Sequence, residues 1–331
     1  MDLKELVCTL AGIDGVSGDE SRIAAFCKEL LEKYTEDVCI KNGNVIAHFG
    51  KKEEKPHIML DAHLDRVGMV VTDFKDGFVK ASPVGGLDMR IMPAQRVTVH
   101  GKEDIKGIVC TLPPHLSKEK KVMDRDELWV DTGLDKAEKY ISYGDTISYD
   151  SPCTPLLGTR VCGAGLDDRA GIAVIFEIAE LLKDENIPFT VLLSTGEEVN
   201  ERGAATGGYV IDPDIAVEFD VSFAMCGGEK ASKCGKLGGG AMIGFSPVLD
   251  REISLKLRAI AEEKGIPYKA EVMSGTTGTN ADRFSICREG QRAATISIPL
   301  RYMHTPAEVV DTEDIRACAR LAAEFMRREY K

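Results

Sequence analysis

The chain of 331 residues carries a formal net charge of −12, and 44% of it is hydrophobic. That charge argues against a nucleic-acid or anionic-membrane partner, whose phosphates it would repel, and favours small or uncharged substrates. The length and apolar content allow one large folding unit plus a smaller one.

The start, MDLKELVCTLAGIDG, lacks the basic-then-apolar layout of a signal peptide, and no apolar stretch approaches the roughly 20 residues that span a bilayer. Ten cysteines lie scattered without a Cys-x-x-Cys pair. They are expected to be thiols filling small core positions in a reducing cytoplasm. Leu3, Leu6, Val7 and Leu10, then Ile23, Phe26, Leu30 and Leu31, recur at helical spacing and predict two amphipathic helices. The apolar runs Asn44–Phe49 and His57–Leu60 predict strands, the second leading straight into Asp61–Asp65 (DAHLD).

From Gly68 the texture changes. Brief β-rich pieces at Gly68–Thr72, Gly77–Ala81, Arg96–His100, Gly107–Thr111 and Leu128–Asp131 are separated by Gly, Pro and charge clusters. Residues 68–157 therefore read as a small β-barrel or sandwich inserted into a domain formed by residues 1–67 and 158–331. Beyond Gly158 strand and helix alternate: a helix over Asp168–Leu182, apolar runs at Phe189–Ser194 and Ile215–Phe223, a helix near Glu252–Lys264, the run Ala294–Pro299 and a last helix over Thr312–Arg328. Such alternation predicts a three-layer α/β/α domain on a mixed sheet. Ligands sit at the carboxyl ends of strands in such sheets, and His63, Glu197 and His304 follow apolar runs while Asp220 lies inside one.

Those residues suit two divalent metals. An ion of the zinc type takes three or four N and O ligands, and a catalytic site keeps one position open. Asp167, in GLDDRAG, is placed to bridge the two ions, with flanking glycines allowing close approach. One ion would then take His63 and Asp220, the other Glu198 and His304. Asp65, two residues after His63, could accept the far imidazole N–H. Glu197 is left without a metal to hold and is the candidate general base. Each piece alone has an ordinary reading, the Glu–Glu pair as a solvated helix start and the lone Asp as a turn. Several ionisable groups at successive strand ends are harder to explain as core.

The segments MLDAHLDRVG, GLDDRAG, STGEEVNERGA, AVEFD, GTNAD and ISIPLRYMHTPAE together resemble, in order and spacing, the tetrahedral-aminopeptidase family of co-catalytic metallopeptidases, which includes glutamyl and deblocking aminopeptidases. The resemblance covers nearly the whole chain. It implies ligands at His63, Asp167, Asp220, Glu198 and His304, a base at Glu197 and supporting roles for Asp65 and Asp168. It further implies zinc, with cobalt or manganese as alternatives, short peptide substrates, and a barrel that pairs subunits into dimers and hollow dodecamers. Some similar proteins carry a glucanase label, which keeps glycoside hydrolysis as an alternative, beside a deacylase or carboxypeptidase acting through the same metals. Three departures stand out: Arg66 where relatives usually have Glu, Asn200 followed by Glu201 where a Gly is usual, and Asn280 where Asp is common. Arg66 is expected to form a surface salt bridge, or else to meet an acidic substrate side chain. Asn280 is expected to remove a charge near the site.

The glycine-rich Gly227–Gly240 loop lacks phosphate-loop spacing and is read as a flexible loop near the site. His115 and the run Lys118–Lys121 are read as a charged loop, and His48, His57 and His100 as structural. Cys162 and Cys226 lie near candidate ligands and are expected to stay out of them.

Overall fold

The computed structural model describes residues 2–50, 56–113, 115–116, 122–228, 230 and 232–330. Pro114 and the Lys118–Lys121 run lie outside these, as do Glu229 and Ala231 of the glycine-rich loop. Helices α1 (Leu3–Ala11) and α2 (Ser21–Leu31) lead to strands β1 (Val38–Lys41), β2 (Asn44–Phe49) and β3 (Ile58–His63). There follow β4 (Gly68–Lys75), β5 (Phe78–Val84), β6 (Arg96–His100), β7 (Asp104–Val109), β8 (Trp129–Asp131), β9 (Thr146–Tyr149), β10 (Thr154–Pro155) and β11 (Arg160–Gly163). The remainder is α3 (Leu166–Leu182), β12 (Phe189–Ser194), α4 (Arg202–Ile211), β13 (Ile215–Phe223), β14 (Ala241–Phe245), α5 (Arg251–Lys264), β15 (Tyr268–Val272), α6 (Ala281–Ser285), β16 (Arg292–Arg301), β17 (Glu308–Asp311) and α7 (Thr312–Glu329).

Eleven strands form one mixed sheet in the order β1-β2-β12-β3-β13-β16-β17-β11-β10, with β14 joined to β16 and β15 to β14. Its centre, β12-β3-β13-β16, is parallel. Side chains alternate across a strand, so each central strand feeds two cores. Ile58 and Leu60, Val191 and Leu193, and Ile215 and Val217 pack with residues of α1, α2, α3, α5 and α7. Met59, Leu192 and Ala216, between them, pack with Ala204 and Ile211 of α4 and Ala281 and Phe284 of α6. The result is the three-layer α/β/α arrangement that the alternation predicts.

The inserted strands close into a barrel, β4-β5-β8-β7-β6-β9, around Met69, Val71, Val79, Val97, Val99, Val130 and Ile147. Closure depends on β9, which pairs with both β4 and β6; its four residues fall outside the β-rich pieces read from sequence. The barrel docks on the segment between α1 and α2. Arg22 makes a two-pronged contact with Asp104 at 2.9 and 3.0 Å. Thr146 donates to Asp19 at 3.1 Å and Ser148 to Asp14 at 2.7 Å. His100 spans Asp14 and Asp104, at 3.2 and 2.9 Å.

The cysteine expectation is corrected on two counts. Cys8 of α1 is bonded to Cys153, just past the barrel, across 145 residues of sequence; the fold, not the spacing, brings them together. Cys39 and Cys226 are exposed and not core residues.

Candidate metal centre

The site lies where the parallel strands end. In β3 and β13 the residues facing α4 and α6 change from apolar to ionisable along the strand: Met59, Asp61, His63, and Ala216, Glu218, Asp220. Asp61 and Glu218 are register partners, so His63 and Asp220, each two residues on, stand side by side. Ser194 at the end of β12 is level with His63, and the turn that follows, entered through Gly196 at φ 65°, carries Glu197 and Glu198. Gly165, at φ 71°, turns the chain into α3 and places Asp167 between these strand ends; the Asp167–Asp168 peptide is cis. His304 arrives on the loop from β16 to β17, with Tyr302 and His304 both in the left-handed region at φ 60° and 62°. Such backbone persists only where surrounding contacts over-determine it.

His63, Asp167 and Asp220 form one buried triad, and Asp167, Glu198 and His304 a second that shares Asp167. One Asp167 oxygen lies 3.1 Å from His63 Nε2 and the other 3.3 Å from His304 Nε2. His304 Nε2 is also 3.3 Å from Glu198 Oε1, a buried oxygen without a hydrogen-bond partner among the described residues. His63 Nε2 is 3.9 Å from Asp220 Oδ1. Two imidazole and carboxylate sets joined by one carboxylate fit two divalent cations, because each set offers the N and O donors such ions take and Asp167 presents one oxygen to each.

The imidazoles are aimed by their other ring nitrogens. His304 Nδ1 donates to the Gly86 carbonyl at 3.1 Å, so the connection from β5 to β6 reaches into the centre; a Cβ at Gly86 would come within 2.7 Å of that nitrogen. His63 Nδ1 lies 2.9 Å from the Asp65 backbone carbonyl and 3.5 Å from its carboxylate. The Asp65 carboxylate thus has a different main task from orienting the imidazole. It accepts the Glu197 and Glu198 backbone N–H groups at 2.9 and 3.1 Å and the Ser17 hydroxyl at 2.6 Å. Asp168 belongs to neither triad and accepts the Gly171 N–H at 2.8 Å. Cys162 and Cys226 belong to neither triad.

Charge crowding sets the protonation of the metal-free chain. Burial opposes the charge on His304, yet Asp167 and Glu198 push its pKa up to about 11. His63 is likewise held well above its ordinary value, burial being outweighed by Asp167 and Asp65. Burial would raise the Asp167 carboxyl, but hydrogen bonds from both imidazoles hold it well below the usual carboxylate range. Burial, with Glu198 and Asp167 nearby, pushes Glu197 up to about 9. Burial and Asp61 push Glu218 up to about 8.

A pH dependence follows. Between about pH 5 and pH 8 the metal-free folded chain keeps protons on Glu197, Glu218 and the imidazoles that the unfolded chain releases at ordinary pKa values. The native state then binds more protons than the unfolded one, so stability falls as pH rises. A divalent ion held by these imidazoles would need them deprotonated, so the apparent affinity for added zinc is expected to climb over that range. Melting temperature and zinc titration at pH 6, 7.5 and 9 check both signs; a metal-free melting temperature that rises with pH contradicts the account.

A cleft of about 440 Å³ opens from the centre. Asp167, Glu197, Glu198, Asp220 and His304 line one end; Ser222, Phe223, Met242, Lys269, Glu271 and Met303 line the rest. The Glu197 side chain has no hydrogen bond among the described residues. Glu271 accepts the Ser222 hydroxyl and that of Ser297, the latter at 2.8 Å, and Lys269 donates to the Cys234 carbonyl.

The departures sit behind the cleft. Arg66 is 5% exposed, pairs with Asp14 and packs its stem against Gly165, so neither a surface salt bridge nor a substrate contact describes it. Arg66→Ala is expected to cost roughly 1–3 kcal/mol, from a lost charge-assisted contact and lost packing of the stem, because Asp14 keeps Ser148 and His100. The ratio of glutamyl to leucyl turnover should stay unchanged. Thermal unfolding and paired kinetics check this, and a shifted ratio contradicts it. Asn280 is fully buried and donates to Asp61 and Ser194, both at 2.8 Å. Its neutral amide neighbours the buried Asp61–Glu218 pair and is not among the cleft residues. Asn200 takes φ 148°, a conformation that favours glycine, and Glu201 pairs with Arg283 at 2.6 Å.

Sequence reasoning missed Asp61, Glu218, Gly86 and Glu308. The first two were within reach, two residues before named ligands on the same strand face. Gly86 carries no local signal.

Residues 43–321 match the family model described as M42 glutamyl aminopeptidase. A Pyrococcus furiosus protein named lysyl aminopeptidase is 32% identical over 330 residues, covering 96% of this chain and 95% of the relative. The structure of an aminopeptidase from the archaeon Desulfurococcus kamchatkensis superposes with a TM-score of 0.92 at 32% identity, covering 98% of this chain and 94% of the other. A Pyrococcus horikoshii peptidase, described as able to assemble into a tetrahedron or a large octahedral shell, gives a TM-score of 0.87 at 27% identity, with coverage of 97% and 98%.

Proposed function

The chain belongs to the M42 glutamyl aminopeptidase family, and from that premise we propose how its metal-dependent aminopeptidase activity is carried out. The observation that carries the reading is the Asp167 carboxylate, shared between His63 on one side and His304 on the other. His63, Asp167 and Asp220 would hold one divalent cation and Asp167, Glu198 and His304 the second, with zinc the first choice and cobalt or manganese alternatives. Bound there, the cations would supply Lewis acidity, polarising the scissile carbonyl and acidifying the attacking water.

The protein's own groups do the rest. Glu197 faces the cleft with a carboxylate engaged by no other side chain among the described residues. It takes the proton of the attacking water and returns it to the leaving amine. Asp65 fixes the Glu197–Glu198 backbone, so the base keeps its distance from the ligands. The substrate's free α-amino group enters the acid-rich end of the cleft, and its first side chain occupies the part lined by Met242 and Glu271. A peptide seated that way loses one amino-terminal residue per cycle.

The barrel is proposed to pair subunits, and the pairs to build a closed shell, up to a dodecamer, that admits short peptides. Native mass spectrometry reads the subunit count. No helix among the described residues is long and apolar enough to cross a membrane. A cytoplasmic setting is kept as part of the proposal, and cell fractionation tests it.

The activity test is a panel of aminoacyl-p-nitroanilides and free or amino-terminally acetylated peptides, given to metal-stripped protein with zinc, cobalt or manganese added back. Metal-restored release of single amino-terminal residues, blocked by acetylation, is the expected result. Metal-independent cleavage of glucans would favour the glycoside hydrolase alternative, and release of acyl groups or carboxyl-terminal residues the other two.

A further inference from the structure

Glu308 opens β17 and is 1% exposed, yet its carboxylate forms no ion pair among the described residues, Arg66 and His304 acting on it only through space. Its partners are three backbone N–H groups. One oxygen accepts from Leu166 at 2.7 Å and Asp167 at 3.3 Å, the other from His304 at 2.7 Å. These donors belong to two irregular segments far apart in sequence. Asp167 (φ −80°, ψ 107°) and Asp168 (φ −115°, ψ 46°) depart from helical geometry, and Tyr302 and His304 are left-handed. Neither segment supplies a ladder partner for these amides, and a buried N–H left unpaired costs about 1–3 kcal/mol. One carboxylate answers for all three.

We propose that Glu308 is a positioning residue that locks the Asp167 and His304 segments into one unit before any metal arrives. It acts through the backbone and touches neither the Asp167 carboxylate nor the His304 ring. Asp65 does the same for the other pair, accepting the Glu197 and Glu198 amides. The two buried acids thus divide the centre between them. Asp65 sets the base and Glu198, while Glu308 sets the shared carboxylate and His304. Pre-set donors lose little freedom when an ion is captured, which raises affinity.

The inference rests on Asp167 and His304 being ligands, and the test separates the two claims. Glu308→Gln keeps the shape but turns one acceptor edge into an NH2 facing backbone donors. Zinc affinity, measured by calorimetric titration, is expected to fall about 10- to 100-fold, the usual effect of losing a group that supports ligands. Hydrogen exchange on metal-free parent is expected to show protected Asp167 and His304 amides. In the variant those amides lose protection and the barrel amides do not. Parent-like zinc affinity in the variant overturns the proposal. So does free exchange of the two amides in the metal-free parent, a measurement that decides the matter even if the variant does not fold. A parent that protects these amides but binds no zinc would instead sink the ligand assignment and leave the positioning role standing.

Discussion

Glu197→Gln is expected to lower kcat by about 10²- to 10⁴-fold, the range that general-base catalysis supplies, while zinc content and KM stay near parental and the melting temperature does not fall. Each half of that expectation has a separate basis. The substitution leaves size and burial unchanged, and the Glu197 side chain makes no hydrogen bond among the described residues, so the fold loses no contact. Glu197 also stands outside both triads, which draw on His63, Asp167, Asp220, Glu198 and His304, so metal binding loses no donor. What disappears is a carboxylate at the cleft wall able to receive a proton. In the metal-free chain burial, Glu198 and Asp167 push that carboxyl up to about 9; the positive charge of bound cations would pull it back toward the working range of a base. Steady-state kinetics with metal analysis checks the set. A variant that turns over at the parental rate, or that loses zinc, removes Glu197 from the role.

Asp167→Asn is expected to abolish activity by removing metal from both positions together. An amide offers one neutral oxygen and an NH2 that cannot ligate, so the shared bridge is lost. The fall in zinc affinity should exceed the 10- to 100-fold typical of losing a supporting group. The metal-free chain is affected as well. Asp167 lies within hydrogen-bonding reach of both imidazoles, at 3.1 and 3.3 Å, and its charge contributes to holding His63 and His304 protonated. Without it their pKa values fall toward the ordinary histidine range, which pH titration of the imidazole proton resonances would report. Zinc per chain after dialysis against buffered zinc is the decisive reading. Retention of parental zinc would show that Asp167 does not bridge.

The site was legible to the degree that it obeys local rules. Apolar runs ending in an imidazole or carboxylate mark strands that deliver side chains to one sheet edge, so His63, Asp220 and Glu198 stood out from patterning. The barrel announced itself through short β-rich pieces and turn residues, but its closure did not. That depends on β9, four residues without strong periodicity, pairing with strands some 45–80 positions earlier. β14 and β15, which form one wall of the cleft, were missed because five-residue runs between glycines and charges carry little signal. Burial of charge was the least legible feature. Arg66 looks like a surface residue until Asp14, 52 positions away, is folded against it. Asn280 looks like a site residue until it meets Asp61 across 219 positions. The Cys8–Cys153 bond belongs to the same class, set by where the barrel returns the chain.

Anomalous diffraction at the zinc edge from zinc-loaded crystals would show whether the Asp167 carboxylate joins two metal positions. Two peaks are expected, one beside His63 and Asp220, the other beside Glu198 and His304, with the Asp167 carboxylate between them. A single peak, or peaks away from Asp167, would contradict that arrangement.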